Sequence, residues 1–517
     1  MNGSDRIQAT FHPLTFGGAI RSAAARNPGK IAIIDEERRV AFGELAQRID
    51  RLRDASITTL GVKPGENVAI LSRNRAEFIE VVAGLPDAGA AVATVNPRLT
   101  PREIADVIAD AGARVVFADS ESAALIRKAA VAVEVIEFGE AYERLLADAQ
   151  LPPALPPIGE CDAWTIPYTS GTTGKPKGVI LSHRSRMLVG LVCAAEFGCF
   201  GPDDHFLAMT PMNHGGGLGF PCGILAAGGS IEILDKFEPE QTLERLKFGG
   251  VTGLFMVPTH FQMIFALPPA VLDRYRRPPI RSILANAAPL PQALKEKIIP
   301  YFGETVLHEL YAATETGLVC NLRPADQLRK QRCVGTPFPH CEAQVRREDG
   351  SVCDPDEVGE LWARSPLLFN GYWNRPDEDA RAIRDGWVSV GDIASRDDEG
   401  FLYIVDRKKD MVISGGVNIY PREIEEVLFT HPAVADVAVI GLPDDVWGER
   451  LHAVLVLREG HDLTASELAG FCRDRIASYK IPRSLGLVDV LPRNANGKVL
   501  KTELRASPAV PMAEISG

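Results

Sequence analysis

From residue 14 to about residue 120 the chain alternates between helically spaced stretches and short β-rich runs, and this alternation limits the fold more than any other feature. Thr15 to Arg26, Phe42 to Leu52, Arg75 to Gly84 and Thr100 to Asp110 carry the helical spacing, and KIAIID, NVAIL, AAVATV and RVVFAD lie between them. Strand-helix-strand succession of this kind predicts a parallel sheet covered by helices, so the expected class is α/β. The last helix marks its own start: Pro101 takes the first helical position and Glu103 stands at capping-box spacing from Thr100.

LPPALPPIGE, residues 151–160, reads as a stiff Pro-rich connector, after which the α/β alternation resumes. The character changes near residue 400. FLYIV and MVIS are two short strands joined by the charged DRKKD. A helix (Pro421 to Thr430), strands VADVAVIG and HAVLVL, a helix (Thr464 to Ala477) and strand LGLVDV follow. With 517 residues, too many for one ordinary core, the expected organisation is a large N-terminal multi-subdomain α/β domain, 1–405, and a smaller C-terminal α+β domain, 406–517.

A formal charge of −12 argues against broad nucleic-acid binding, which needs a basic face, but leaves room for a local pocket that takes a phosphate anion. The nine cysteines include no C-x-x-C pair, so neither a disulfide framework nor a zinc site is indicated, and a reduced, cytoplasmic setting is expected. MNGSDRIQATFHPLTFGG lacks the basic and apolar regions of a signal peptide, and no apolar run reaches membrane-spanning length.

YTSGTTGKPKGV, residues 168–179, offers almost no apolar surface to a core. Its glycines let backbone N–H groups approach an anion, and Lys175 and Lys177 add positive charge, so a phosphate loop is expected. It is not a Walker A loop. Counting back from Gly174-Lys175 puts Thr169 where the first glycine belongs, and Pro176 follows the lysine.

Six further motifs stand in order behind it: PMNHGGGL (211–218), NAAPL (286–290), YAATET (311–316), GWVSVGD (386–392), DRKKDMVISGGVNIYP (406–421) and PRNANGK (492–498). Together, from about residue 15 to 505, they resemble the adenylate-forming superfamily of acyl-CoA synthetases, peptide-synthetase adenylation domains and firefly-type luciferases. The resemblance implies an ATP-dependent ligase that joins a carboxylate to AMP, expels pyrophosphate, and passes the acyl group to a thiol. ATP, Mg²⁺ and coenzyme A are the implied co-substrates and cofactor, and the acid is expected to be fatty (medium or long chain) or aryl. It also implies that the smaller domain is mobile.

Carried over residue by residue, the resemblance implies ATP binding by Thr169, Ser170, Gly171, Thr172, Thr173, Gly174, Lys175 and Lys177, with Asn286, Ala287 and Ala288 beside adenine. Tyr311, Ala312, Ala313 and Thr314 continue the nucleotide site, with the Tyr311 ring for adenine, and Asp392 and Arg407 take the ribose. Thr169 and Glu315 are the implied Mg²⁺ ligands, both oxygen donors suited to a hard cation. His214 and Lys498 are the implied catalytic pair: His214 at the mouth of an acyl pocket with Asn213, Val257 and Thr259, Lys498 on the carboxylate and α-phosphate. Gly415, Gly416, Trp447, Tyr479 and Lys480 fall on the CoA side, and Lys409 on the hinge.

Taken singly, most of these residues have ordinary structural readings: Glu315 as a surface carboxylate, Asp392 as a turn residue, Trp447 as core, Lys498 as a solvated turn lysine. The ordered set is what reverses them. Three positions depart from the family pattern. Ala312 replaces the usual glycine, Asn286 stands where glycine is common, and Asn213 precedes His214 where an aromatic residue is frequent. The last departure leaves the choice of acid open.

A runner-up reading keeps adenylation but loads a separate carrier protein; with 19 residues after Lys498 no fused carrier domain is expected. A catalytically silent binding protein is disfavoured because Thr169, Glu315, Asp392, Arg407 and Lys498 are all present. The partners expected are the acid, ATP and CoA, with no nucleic acid and no transmembrane segment. The sequence is silent on oligomeric state, a homodimer included.

Overall fold

The structure, a computed structural model, describes residues 13–36, 38–170, 176–473, 475–493, 499–506 and 513–514. The chain forms two compact units, Met1–Glu342 with Ala363–Val388, and Ala343–Trp362 with Ser389–Gly517.

Among the described residues of the first unit, one sheet has nine strands. Their order is Thr336–Pro337, Gly317–Leu322, Leu307–Ala313, Ser282–Ala285, Gly253–Met256, His205–Ala208, Ser230–Ile233, Ile31–Asp35 and Arg38–Ala41. The strands from Leu307–Ala313 through Ile31–Asp35 run parallel, and the edges are antiparallel. His205–Ala208 lies between Ser230–Ile233 on one side and Gly253–Met256 on the other, so the strand order reverses direction there. A crevice at the carboxyl ends of parallel strands beside such a reversal is where open α/β sheets bind ligands.

A second sheet of the same unit has, among the described residues, seven strands in the order Glu134–Glu137, Val115–Ala118, Asn67–Leu71, Ala91–Val95, Ala163–Ser170 and Pro176–Gly178, with Leu181–Ser182 paired to Ala163–Ser170. The early alternation is therefore shared between two sheets: KIAIID supplies Ile31–Asp35 in the first, and the other three runs stand side by side in the second. Every residue of Asn67–Leu71 and Ala91–Val95 is buried, as expected for strands covered on both faces. Helix Pro101–Ala111 packs Ile104, Val107, Ile108 and Ala111 against Leu71, Val95 and Val116. Its capping box is formed: the Thr100 amide donates to Glu103 Oε2 at 2.8 Å and the Glu103 amide to Thr100 Oγ1 at 3.4 Å.

In the second unit, Asp392–Arg396 pairs antiparallel with Leu402–Arg407, and a short hairpin joins Val412–Ser414 to Val417–Ile419. The long hairpin Val434–Asp444 and Gly448–Leu457 shows two-residue periodicity. Val437 and Val439 face a core with Ile424, Leu428 and Leu468 from helices Pro421–Phe429 and Ala465–Arg473, while Ala438 and Ile440 face Leu491 and Leu504. Among the described residues no helix is long and apolar enough to cross a membrane.

Candidate active site

Three motifs of the first unit lie together because the strands that carry them are neighbours in the nine-stranded sheet. Met256 pairs with Ala285, and Ala285 with Glu309, so Val257 and Asn286 leave the sheet at the level of Leu310, while strand Leu307–Ala313 continues past them. PMNHGGGL follows the neighbouring strand His205–Ala208, the one at which strand order reverses. The acyl, adenine and Tyr311–Glu315 segments thus lie along one carboxyl edge.

His214 caps helix Gly215–Ala227 from an extended conformation, with its carbonyl accepting the Leu218 amide at 2.9 Å. Gly217 is required here, because a Cβ at that position would run into the Pro211 carbonyl. Gly215 and Gly219, one turn apart, meet no atom within 4 Å where a Cβ would stand, so this face of the helix borders open space. Asn213 is buried, with its carbonyl accepting the Thr94 hydroxyl at 3.0 Å and its amide 3.2 Å from His214 Nε2. Asn96 lies 3.4 Å from the same nitrogen. Burial, helped by the Arg98 cation, pushes the His214 pKa down to about 4, so its imidazole is neutral at physiological pH. Val257 starts helix Pro258–Phe265 and is half-buried; Thr259 is exposed.

Thr169 pairs with Lys177 across the hairpin of Ala163–Ser170 and Pro176–Gly178. Gly171, Thr172, Thr173, Gly174 and Lys175, and the side chain of Ser170, lie outside the described residues. Lys177 forms an ion pair with Glu378, and its ammonium stands 5.4 Å from the centre of the Tyr372 ring. The Tyr372 hydroxyl donates to Glu315 Oε1 at 2.9 Å. Its pKa is pushed up by burial and by the Glu315 carboxylate, so it remains a donor across the physiological range. The Glu315 carbonyl in turn accepts the Phe369 amide at 2.8 Å. The Thr169 hydroxyl and the Glu315 carboxylate are both hard oxygen donors, a donor set that fits Mg²⁺.

Asn286 and Ala287 form a tight bend in which the Ala287 amide meets Asn286 Oδ1 at 2.5 Å and Ala287 takes φ +75°. Ala287 and Ala288 are exposed, and Tyr311 to Glu315 are half-buried. The Leu290 amide donates to Glu309 Oε1 at 3.2 Å, which ties the end of NAAPL to the strand that carries Tyr311.

In the second unit, Asp392 pairs with Arg407 across adjacent strands, and Arg407 Nε lies 3.2 Å from Asp392 Oδ1. Lys409 is exposed in the tight turn that follows, closed by the Asp410 amide on the Arg407 carbonyl at 2.9 Å. Gly415 and Gly416 turn a hairpin with φ +59° and +78°. The Gly415 amide donates to the Trp447 carbonyl at 2.8 Å, and a Cβ on Gly415 would lie 2.8 Å from the Trp447 ring. Tyr479 and Lys480 form a short 3-10 turn, and Lys480 is engaged by Glu423 at 2.6 Å. Lys498 lies outside the described residues.

Comparison with known proteins decides the family. The AMP-binding enzyme family matches residues 20–373, and the AMP-binding enzyme C-terminal domain matches residues 423–498. The chain belongs to the AMP-binding enzyme family. This AMP-binding enzyme is 35% identical over 496 residues to a 2-succinylbenzoate–CoA ligase of Geobacillus kaustophilus, covering 94% of this chain and 96% of that one. It is 34% identical over 489 residues to a feruloyl-CoA synthase of Amycolatopsis, covering 93% and 96%. Its fold matches the o-succinylbenzoate CoA synthetase of Bacillus subtilis in complex with its acyl-adenylate intermediate, with a TM-score of 0.85, 31% identity and coverage of 97% and 99%. The same synthetase with ATP and magnesium ion matches with a TM-score of 0.83, 31% identity and coverage of 94% and 98%. The adenylate-forming kinship and the α/β architecture with a smaller C-terminal part are as the motifs implied, and the enzyme is an AMP-forming acid–thiol ligase.

Several residues of this AMP-binding enzyme's site escape sequence reasoning. Tyr372 lies 57 positions from Glu315, and only the fold joins them. Arg483 stacks on Trp447 with its guanidinium carbon 4.5 Å from the ring centre, and no motif contains it. The Gly-Tyr-Trp at 371–373, just after the apolar Leu367, Leu368 and Phe369, carries no motif that marks Tyr372.

Proposed function

We propose that this ligase activates an aryl carboxylic acid and transfers it to CoA. The observation that carries this reading is the cleared helix face at Gly215 and Gly219, beside His214 at the strand-order reversal. Aromatic rings pack against the adjacent face of the same helix: a Cβ on Gly216 would stand 3.0 Å from the Phe255 ring, and Phe220 lies 5.1 Å from Phe255. The aryl acids in the names of the 2-succinylbenzoate and feruloyl relatives favour a ring over a medium or long alkyl chain.

In the first half-reaction the acid's carboxylate oxygen attacks the α-phosphorus of ATP, and the bond to pyrophosphate breaks. The neutral imidazole of His214 donates a single hydrogen bond to that carboxylate without locking it in an ion pair, so it is free to approach phosphorus. Thr169 and Glu315 would hold Mg²⁺, which would supply charge neutralisation on the phosphates. Tyr372 orients the Glu315 carboxylate, and Lys177 lies beside both. Asn286 to Ala288 and Tyr311 to Thr314 hold adenine, Asp392 and Arg407 the ribose hydroxyls, and Lys498 the developing charge at the α-phosphate.

In the second half-reaction the CoA sulfur attacks the acyl carbonyl carbon, loses its proton, and AMP leaves. Gly415 and Gly416 admit the pantetheine arm because side chains are absent there, with Trp447, Tyr479 and Lys480 beside it. We place the hinge at Lys409, in the turn between residues 405 and 411.

Pyrophosphate exchange over a panel of benzoic, cinnamic, succinylbenzoic and C8 to C16 fatty acids, with thioester formation followed in parallel, tests this reading. The aryl acids should exchange fastest. A C12 or C16 acid that outpaces every aryl acid refutes the aryl assignment, and acyl-adenylate that accumulates without forming acyl-CoA refutes CoA as acceptor in favour of a carrier protein.

A further inference from the structure

Arg186 is a buried cation with no carboxylate against it among the described residues. It lies within helix His183–Phe197, and burial alone, with no opposing carboxylate, pulls its pKa down to about 10. Its Nε meets Ser185 Oγ at 3.3 Å, and its Nη2 donates to the Leu367 carbonyl at 2.5 Å. Burying an unpaired charge is costly, and an apolar side chain of the same length would fill the site without that cost. The position of its one strong hydrogen bond gives the guanidinium a purpose.

Leu367 begins an arm that runs through the nucleotide side of the first unit. Two residues on, the Phe369 amide holds the Glu315 carbonyl. The Asn370 amide then donates to the Ile180 carbonyl at 2.8 Å, and the Ile180 amide to the Gly371 carbonyl at 2.9 Å, which bonds the arm to the link between strands Pro176–Gly178 and Leu181–Ser182. Tyr372 reaches Glu315 Oε1, and the Trp373 amide donates to the Gly178 carbonyl at 2.8 Å. The arm therefore grips Glu315 at its carbonyl and its carboxylate, and Arg186 grips the arm at its root.

Gly317 makes the fit tight from the other side. Its φ is +65°, and a Cβ there would lie 2.8 Å from the Leu367 carbonyl oxygen and 3.3 Å from Arg186 Nη2. The turn after Glu315, the root of the arm and the guanidinium thus meet at one point, where Leu367 has no room to drift.

We infer that Arg186 is a positioning residue for the magnesium–nucleotide site: it anchors the 367–373 arm that sets the Glu315 carboxylate. This rests on the proposed role of Glu315 as a Mg²⁺ ligand.

Equilibrium binding of ATP to R186M, R186K and E315Q, in saturating Mg²⁺ and again in EDTA, tests it. Amide hydrogen exchange at Phe369 and Tyr372 is measured alongside. E315Q should weaken ATP binding in Mg²⁺ by about tenfold or more and leave binding in EDTA unchanged, the loss expected of a missing metal ligand. R186M should repeat that Mg²⁺-selective loss at about tenfold, speed exchange at Phe369 and Tyr372, and leave the thermal midpoint unchanged or higher. R186K, which keeps a donor for Leu367, should bind within about threefold of the unmodified enzyme. If E315Q shows the selective loss while R186M weakens both conditions equally or neither, the anchoring role is wrong and the ligand role stands. An R186M chain that fails to fold also overturns it, because methionine should be accommodated there. If E315Q itself lacks Mg²⁺ selectivity, the ligand role falls and the inference falls with it.

Discussion

Lys295 and Glu309 form an ion pair inside the first unit, both almost wholly shielded from water, and Glu309 uses its other oxygen to hold the Leu290 amide at 3.2 Å. The pair connects helix Gln292–Phe302 to strand Leu307–Ala313, and through Leu290 it fixes the end of the 286–290 segment that leads into the helix. Removing one partner strands a buried charge, so K295M should lose about 3–5 kcal/mol of stability. The double variant K295M/E309L removes both charges and should recover most of that loss. It cannot recover the Leu290 bond, so its KM for ATP should stay roughly tenfold high, the effect of one lost hydrogen bond to a charged group. Urea unfolding and ATP-dependent pyrophosphate exchange on both variants separate the two effects; a double variant with normal KM would show that the pair serves stability alone.

Tyr372 should act on adenylation with little effect on folding. Tyr372→Phe keeps the ring beside Phe369 and Lys177 and removes only the bond to Glu315 Oε1. A hydrogen bond to a carboxylate contributes about 1.5–3 kcal/mol, so adenylation should slow by about ten- to a hundredfold, while the thermal midpoint shifts by a few degrees at most. A Phe variant as fast as the unmodified enzyme would remove Tyr372 from the site.

These two relationships show what the sequence made legible and what it hid. Parallel α/β structure was readable because strands covered on both faces are apolar runs, and the Thr100 cap because its bonds are local. The split of that alternation between two sheets was not readable, since KIAIID and NVAIL carry the same β-rich signal although different sheets take them. In the site, contiguous motifs could be carried over from a family resemblance. Nothing in the local sequence distinguishes Lys295 or Arg186 from an exposed basic residue; only burial does. Tyr372 and Glu315, or Arg186 and Leu367, are joined across long sequence separations by the fold, and no spacing rule reaches that far.

Stability should fall as pH drops from 6.5 towards 4. His183 in the first unit and His452 in the second are fully buried, and burial pushes each down to about 4, with Arg450 also lowering His452. Between these values the unfolded chain takes up protons that the folded chain refuses, so unfolding is favoured as pH falls. Full development of the shift corresponds to about 3 kcal/mol per histidine. H452N, which keeps a polar partner for Ser484 Oγ, should show a shallower decline. Urea midpoints at pH 7, 5.5 and 4.5 measure this, and a midpoint that stays flat from pH 7 to 5 contradicts it.

Lys498 carries the last prediction. Its proposed task is charge stabilisation at the α-phosphate, yet it belongs to PRNANGK, far along the chain from the motifs proposed to bind ATP in the first unit. If the smaller domain delivers it for adenylation and withdraws it afterwards, Lys498→Ala should slow adenylation by about a hundredfold or more, the effect of removing one preorganised charge stabiliser. Thioester formation from supplied acyl-adenylate and CoA should stay close to the unmodified rate, because Lys498 is then away from the reacting atoms. General destabilisation cannot produce such a split, since it lowers both rates together. Stopped-flow measurement of the two half-reactions decides between them: a variant that adenylates at nearly the unmodified rate makes Lys498 a solvated turn lysine, and equal loss in both steps makes it a structural one.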